Sequence, residues 1–186
     1  MNNIYDKSGK NYYKPEDKKI ITANNESISS NDSIIVGFNN SIYGYNNTIF
    51  GSGNTIDGSD NLLFGNNNKI FGSGNTLSGF YNYVRGDRNQ INGSKNEVHG
   101  NNCSINGDYN HVYGVENTIN GSLNIITGNY HTINGDKNFC NGMFNSINGD
   151  NCIIQGNHAS INGNDSKINN TNVQSSVKLV EKNSIN

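Results

Sequence analysis

The chain has 186 residues, with 22 glycines, one proline and no tryptophan, and its formal net charge at pH 7 is −2. Hydrophobic residues make up only 32% of it, less than an ordinary packed core requires. Because the charge is slightly negative and no basic stripe is present, the composition argues against nucleic acid as a partner. The sequence also lacks a run of about eighteen apolar residues, so membrane insertion is not expected.

Residues 1–22 carry no repeat, and we interpret them as an N-terminal segment or cap. They are polar and charged as far as Lys19 and show no apolar core of a secretory signal. Export by a standard signal is therefore not predicted.

A seven-residue frame runs through residues 23–169. From Gly37 to Gly163 a glycine returns at every seventh position, usually with asparagine three places later and an aliphatic residue five places later. The unit reads G-x-x-N-x-I-x, and residues 23–36 hold a degraded form of it. Such strict periodicity predicts a repeat fold, in which each unit packs on its neighbours and few apolar residues are enough.

Each unit is expected to form one short strand and one turn. Numbered from the glycine as position one, positions four and six share parity and should face the interior, while five and seven face outward. The glycine supplies the positive φ of a tight corner. We expect the asparagines at position four to stack as an amide ladder inside the coil.

The outward positions repeat every fourteen residues, which predicts two units per turn. Every second unit from Gly100 onward presents Ser or Thr, then Ile, then Asn, whereas the units between them vary. The predicted fold is all-β, a parallel β-solenoid or β-roll with two seven-residue strands per fourteen-residue turn. About nine or ten turns at roughly 4.8 Å each give a rod on the order of 45 Å long.

The uniform face is the candidate binding face. Its polar residues are Ser104, Asn106, Thr118, Asn120, Thr132, Asn134, Ser146, Asn148, Ser160 and Asn162. Regular hydroxyl and amide groups on a flat sheet suit an ordered surface such as ice or a polysaccharide. The alternative is recent duplication of a fourteen-residue unit, which would keep all positions similar without any ligand.

The varied face holds a candidate oligomer interface. Its outward apolar residues are Tyr83, Ile125, Phe139 and Ile153. A column of this kind in water favours self-association, although scattered exposed apolar residues need no explanation.

Glu97 and His111 are expected in one outward column of the varied face, with His99 and Tyr113 in the next column. Their side chains should approach within about 5 Å. A flat face with no nucleophile nearby does not favour catalysis, so no catalytic residue and no cofactor are predicted.

No metal site is predicted either. The cysteines, Cys103, Cys140 and Cys152, fall at inward positions and are expected to be small buried side chains. The aspartates that follow glycines do so singly, unlike the pattern of calcium-binding β-roll repeats; they are Asp87, Asp108, Asp136 and Asp150.

The doubled unit G-x-x-N-x-I-x resembles the head repeats of trimeric autotransporter adhesins, over residues 23–169. The resemblance implies a left-handed parallel β-roll, association as a homotrimer, and a host-surface or glycan ligand. It also implies a place on a cell surface, or on a virion if the chain is related to viral or phage fibres; without it the expectation is cytoplasmic. This sequence prefers Asn and Ile where those heads use more Ala and Ser, and it shows no coiled-coil stalk or membrane anchor.

The leading hypothesis from the sequence is a non-enzymatic, fibre-like or surface module for structural display or attachment. The alternative is an ice-binding or glycan-binding protein that uses the Ser/Thr-Ile-Asn face, and a third is a solenoid enzyme that processes glycans. Residues 170–186 leave the frame and are expected to form a C-terminal cap or oligomerisation segment.

Overall fold

The computed structural model describes residues 20–22, 27–29, 33–169 and 176–178. The predicted N-terminal and C-terminal segments lie outside the described residues, apart from one short strand in each. Within the described parts of the chain, no helix is long and apolar enough to cross a lipid bilayer.

The described residues form 23 short strands, most of them three residues long. The strands are β1 (Ile20–Thr22), β2 (Ser27–Ser29), β3 (Ile34–Val36), β4 (Ser41–Tyr43), β5 (Thr48–Phe50), β6 (Thr55–Asp57), β7 (Leu62–Phe64), β8 (Lys69–Phe71), β9 (Thr76–Ser78), β10 (Tyr83–Arg85), β11 (Gln90–Asn92), β12 (Glu97–His99), β13 (Ser104–Asn106), β14 (His111–Tyr113), β15 (Thr118–Asn120), β16 (Ile125–Asn129), β17 (Thr132–Asn134), β18 (Phe139–Met143), β19 (Ser146–Asn148), β20 (Ile153–Asn157), β21 (Ser160–Asn162), β22 (Lys167–Asn169) and β23 (Ser176–Lys178). Each strand of the repeat region occupies positions five to seven of one unit, and β16, β18 and β20 also include the first two residues of the next unit. Between the other strands, the glycine and the two residues after it turn the chain.

The strands pair in two parallel sheets. The odd-numbered strands form one sheet of twelve and the even-numbered strands one of eleven; we call them the odd sheet and the even sheet. Neighbouring strands from β1 to β22 are in a register of fourteen, so that Thr118 of β15 lies beside Ser104 and Thr132, whereas β23 pairs with β21 at an offset of sixteen. The predicted parallel solenoid, with two strands per fourteen-residue turn and about ten turns, is confirmed.

The core is one side chain wide for each strand, and that side chain is aliphatic in every strand from β3 to β22 except β18, where it is Cys140. The residue at position six is buried in every unit from Ile35 to Ile168, and the side chain of Ile126 is fully enclosed. The position-four residues are buried too, including those that replace asparagine: Cys103, His131, Cys152, Ala159 and Ser166. Both predicted inward positions are therefore confirmed.

The buried asparagines form the expected ladders. Asn68 shows the pattern: its backbone N–H and its side-chain amide both donate to Oδ1 of Asn54, at 2.9 and 3.2 Å. The same amide group donates to the carbonyl of Gly79 at 2.9 Å. The ladder therefore satisfies polar groups whose burial would otherwise cost free energy.

Two residues adopt positive φ at every corner from Gly37 to Gly163 except that of Gly100, where only position three does; the sequence predicted the glycine alone. Gly107 has φ of 143°, and a Cβ there would collide with the carbonyl oxygen of Gly121 in the next turn. Two places later Tyr109 has φ of 58°, the left-handed conformation that non-glycine residues seldom adopt. The sequence gives a weak signal for position three, since its Asn, Asp and Gly residues are concentrated near the start of the repeat.

The residue at position two, between the two positive-φ residues, bonds the corner to the preceding turn through its side chain. Asp108 accepts a hydrogen bond from the backbone N–H of Ser94 at 2.5 Å, and Asp136 accepts one from Ser122 at 2.6 Å. This role explains the single aspartates that follow glycines. The frequent Ser, Asn and Asp at position two was the sequence signal for it.

Candidate functional site

The outer surface of the odd sheet carries two ranks of polar side chains. The hydroxyl rank consists of Ser104, Thr118, Thr132, Ser146 and Ser160, and the amide rank of Asn106, Asn120, Asn134, Asn148 and Asn162. Adjacent strands pair residue for residue from β13 to β21, so the members of each rank stand directly beside one another. All ten side chains are exposed except that of Ser160, which is half-buried. The structure thus brings all the residues of the predicted binding face together.

Hydrogen bonds fix the side chains of the amide rank. The amide nitrogen of Asn106 donates to Oδ1 of Asn120 at 3.1 Å, and Asn120 donates to Asn134 at the same distance. The series continues through Asn148 to Asn162, at 2.9 and 3.1 Å. These amides are therefore held in one orientation along the face, although they are exposed to solvent.

The amide rank begins one strand earlier than the sequence analysis placed it. Asn92 of β11 donates its side-chain amide to Asn106 at 3.1 Å. In β11 the column of the hydroxyl rank holds Gln90, which pairs with Ser104. Because Gln90 is neither Ser nor Thr, the repeated Ser/Thr-Ile-Asn pattern did not include this strand. The next strand outward, β9, still presents Thr76 and Ser78.

The N-terminal part of the same sheet has a different surface. Phe50 and Phe64 lie in adjacent strands with ring centroids 5.2 Å apart and planes 2° from parallel. Both are exposed, and Val36 continues their column. The polar face therefore occupies only the part of the odd sheet from β9 onward.

Glu97 is the centre of a polar cluster on the even sheet. Its Oε1 lies 3.0 Å from Nε2 of His99 and accepts a hydrogen bond from the Tyr113 hydroxyl at 2.9 Å. Its Oε2 lies 3.2 Å from Nδ1 of His111. The predicted proximity of the Glu97 and His111 side chains is confirmed. The side chains of His99 and Tyr113 contact the same carboxylate.

The cluster links adjacent turns. The ring of His99 stacks on Tyr113 with centroids 4.8 Å apart and contacts Tyr83 at 5.3 Å. The hydrogen bonds from Tyr113 and His99 lower the pKa of Glu97, and the Glu97 carboxylate in turn raises the pKa of Tyr113. Among the described residues, no group of three or more His, Cys, Asp or Glu side chains could hold a metal ion.

The predicted oligomer interface is only partly contiguous. Ile125, Phe139 and Ile153 stand side by side in β16, β18 and β20. Ile125 is 47% exposed, while the other two are half-buried. Tyr83 shares their column but is separated from Ile125 by Glu97 and His111.

Stacked rings also line the corner beside the hydroxyl rank, which the sequence analysis did not identify. Tyr130 and Phe144 have ring centroids 4.7 Å apart, and Phe144 and His158 lie 4.9 Å apart. All three occupy position three of alternate units. Their spacing of fourteen residues could have indicated the stack, but the side-chain direction at position three was not predicted.

The cysteines are free and buried, as predicted. Cys140 lies with its sulfur 3.6 Å from Nδ1 of His131. Burial raises the pKa of the Cys140 thiol to about 12 and also raises that of Cys103 and Cys152. A buried, protonated thiol is a poor nucleophile.

Comparison with known families agrees with this geometry. Residues 2–100 match the family model described as grass antifreeze beta roll. The chain belongs to the grass antifreeze β-roll family. The match covers the N-terminal strands and ends within the turn after β12, so the whole hydroxyl rank and all of the amide rank except Asn92 lie beyond it. The chain has no significant match among curated proteins.

Membership of the grass antifreeze β-roll family confirms the β-roll that the adhesin-head resemblance implied. The family match does not identify the chain as an adhesin head. Their trimeric assembly and their host ligands stay predictions for this chain.

Proposed function

We propose that this protein binds ice through the outer face of the odd sheet formed by the hydroxyl and amide ranks. The observation that carries the proposal is the uninterrupted register of Ser or Thr and Asn across five adjacent strands. The description of the family as an antifreeze β-roll supports the same function. A glycan with a crystalline surface is the alternative ligand for this face.

The hydroxyl rank suits ice because its spacing is fixed by the backbone. Neighbouring strands of a sheet lie about 4.8 Å apart, so the five strands from β13 to β21 present hydroxyl groups over about 19 Å. Ice offers a repeating array of water oxygens, and a repeating rigid array is needed to match it. Ser104, Thr118 and their partners supply such an array without any ordering of loops.

The amide rank adds rigidity to the face. Each internal member donates one hydrogen bond and accepts another, as Asn120 does between Asn106 and Asn134. The side chains are therefore already ordered before a ligand binds, which reduces the entropy lost on binding. Water bound along the rank would meet amide groups in one repeated orientation.

Thermal hysteresis in dilute solution tests the proposal. We expect the protein to separate the freezing and melting temperatures of ice, and the double variant Thr118→Tyr, Thr132→Tyr to lose most of that activity. Two tyrosine rings in the middle of the hydroxyl rank would hold the flat face away from an ice surface. Circular dichroism and the melting temperature of the variant establish that the solenoid is intact.

The matched control carries the same bulk on the opposite face. Thr127 and Asn141 are exposed neighbours in one column of the even sheet. The double variant Thr127→Tyr, Asn141→Tyr should keep full hysteresis. If a solution of the unmodified protein froze without thermal hysteresis, the ice proposal would be wrong. Crystalline polysaccharide would then be the ligand to test on the same face.

A second candidate is a self-associating rod for display or attachment, which the apolar column Ile125, Phe139 and Ile153 favours. Burying this column against another copy would remove apolar area from water, at roughly 25 cal/mol for each Å². Sedimentation at several concentrations should then show an oligomer, with a trimer expected from the adhesin-head resemblance.

A pair of substitutions tests this interface. Ile125→Ser together with Ile153→Ser should give monomers, whereas the exposed pair Thr127→Ser and Gln155→Ser in the neighbouring column should not change the assembly. An unmodified chain that stays monomeric at all concentrations would contradict self-association and would leave the ice proposal unaffected.

A further inference from the structure

Seven asparagines of this chain are followed directly by glycine. Six lie on the odd sheet and one on the even sheet; they are Asn92, Asn106, Asn120, Asn134, Asn148 and Asn162, and Asn141. Asparagine is a thermolabile residue, and it deamidates fastest before glycine because no side chain shields the next backbone nitrogen. The part of the odd sheet with the most regular surface is therefore also rich in reactive sites.

The reaction takes place within the chain. The backbone nitrogen of the glycine loses its proton and attacks Cγ of the asparagine, which forms a C–N bond and a five-membered succinimide. The side-chain nitrogen leaves as ammonia. Water then opens the ring to aspartate or isoaspartate, so no other reactant is needed.

The folded structure occupies the attacking nitrogen. The backbone N–H of Gly107 donates to the carbonyl of Asn92 in the preceding turn at 2.9 Å, and that of Gly121 donates to Asn106 at 2.9 Å. The glycines after the other amide-rank asparagines do the same at 2.9 Å; they are Gly135, Gly149 and Gly163. Attack requires this inter-turn bond to break.

The folded structure also holds the carbon that would be attacked. Cγ of Asn120 must rotate toward the nitrogen of Gly121, but its Oδ1 accepts from Asn106 and its Nδ2 donates to Asn134. Rotation would break both bonds of the rank. The two restraints act on different atoms, and both are released when a turn opens.

We infer that these Asn-Gly pairs are masked self-modification sites, which the closed turns protect and which react when a turn opens. The product makes the opening permanent. Aspartate has no side-chain N–H to donate to the next member, and isoaspartate adds a backbone atom that breaks the register of fourteen. The inference rests on the chemistry of the pairs and does not depend on ice binding.

Peptide mapping by mass spectrometry tests the protection. The intact chain is incubated at mildly alkaline pH, folded in one sample and unfolded by denaturant in another, and the deamidated fraction at each pair is followed over time. We expect deamidation of the folded chain to be slower by at least about a hundredfold, since the open state of an internal turn is rarely populated. Equal rates in the two samples would overturn the inference.

A pair of variants in β17 tests whether protection is lost turn by turn. Ile133→Ala removes buried contacts beside Asn134, whereas Thr132→Ala changes an exposed side chain of the same strand. The first should accelerate deamidation at Asn120 and Asn134 more than at distant Asn92, and the second should not. Equal acceleration at all pairs in Ile133→Ala would mean that only global unfolding exposes them, and would overturn the turn-by-turn mechanism.

Discussion

His131 is the one large residue in the buried asparagine columns of the described chain. Its Nδ1 accepts a hydrogen bond from the backbone N–H of Asn145 at 3.2 Å, so the proton of the neutral ring is on Nε2, 3.4 Å from the carbonyl of Thr127. The backbone N–H of His131 donates to Oδ1 of Asn117 at 2.9 Å, as the asparagines of the column do. The ladder therefore passes through the ring, provided that the ring is neutral.

Burial lowers the pKa of His131 below its ordinary value of 6.5. A group whose pKa is lower in the folded state stabilises the fold fully above the unfolded pKa, and this stabilisation is lost as the pH falls below about 6.5. Lowering the pH from neutral towards 5 should therefore reduce the melting temperature. The pKa of Glu97 is lowered from 4.5, so its contribution is lost only in a more acidic range.

His131→Asn should restore the ladder and remove this acid sensitivity. Asparagine can donate to Asn117 and accept from Asn145 without titrating, which should raise the melting temperature at neutral pH by about 2–4 °C for roughly 1 kcal/mol gained. Differential scanning calorimetry from neutral to acid pH measures both effects. Thr127→Asn, at an exposed position of β16, is the control that adds an asparagine without touching the buried column, and it should keep the acid sensitivity of the unmodified chain. A variant as acid-sensitive as the unmodified chain would contradict this account.

The inward direction of His131 and of the cysteines was predictable, because alternation along a strand fixes the side to which each position points. The tautomer of His131 and its contact with Cys140 were not. They depend on which units meet across the core, nine residues apart in sequence, and the repeat pattern does not specify that.

At the scale of one strand, stability depends on a single enclosed side chain. Ile119 of β15 is 1% exposed, whereas Ile125 of β16 is 47% exposed. The two are the same residue type on neighbouring units, one at position six and the other at position five. They form a matched pair for testing the orientation of the strands.

Ile119→Asp should unfold the array or lower its free energy of unfolding by more than about 4 kcal/mol, because it buries an unpaired charge. Ile125→Asp should change the free energy of unfolding of the single chain by no more than about 0.5 kcal/mol, since that side chain is exposed there. Chemical denaturation of both variants, followed by circular dichroism, makes the comparison. Similar midpoints for the two would show that the inward assignment is wrong.

The strands were easier to predict than the corners. Glycine at position one recurs in every complete unit, and an aliphatic residue at position six recurs in all of them except that of Cys140, so the roles of both positions could be read directly. Position three is Tyr, Lys, Glu or Leu in many units, yet it has a positive φ in all of them. Contacts with the turns on either side impose that conformation, and local propensity does not reveal it.

At the scale of the whole molecule, the turn of fourteen residues places successive seven-residue units alternately on the odd sheet and the even sheet. A deletion of residues 121–134 removes one complete turn, including β16 and β17. A deletion of residues 121–127 removes half a turn and keeps the spacing of every inward residue. Both variants are expected to fold, because the Gly, Asn and Ile frame continues across either junction.

The two deletions should differ in function. Removing a full turn shortens the hydroxyl rank but keeps it on one face, so thermal hysteresis should fall moderately. Removing half a turn transfers Thr132 and all later members to the even sheet and divides the rank into two members on one face and three on the other, so hysteresis should fall much further. Equal activity in the two variants would contradict a role for one continuous face.

The arrangement of the whole rod was predictable for a physical reason. The period of fourteen in the outward residues requires two units per turn, and the same period placed the hydroxyl and amide ranks on one sheet. The hydrogen bonds within the amide rank were not predicted, since equal spacing of Asn106 and Asn120 does not fix the rotation of their amides. The ligand stays a proposal, because a repeated surface is compatible with several ordered partners.

The two kinds of asparagine ladder run in opposite directions along the rod. In the interior, Asn68 donates its amide to Asn54, toward the N-terminal end. On the outer face, Asn106 donates to Asn120, toward the C-terminal end. The two ladders therefore join neighbouring turns through amide-to-amide hydrogen bonds of opposite polarity, one donated backward along the chain and the other forward.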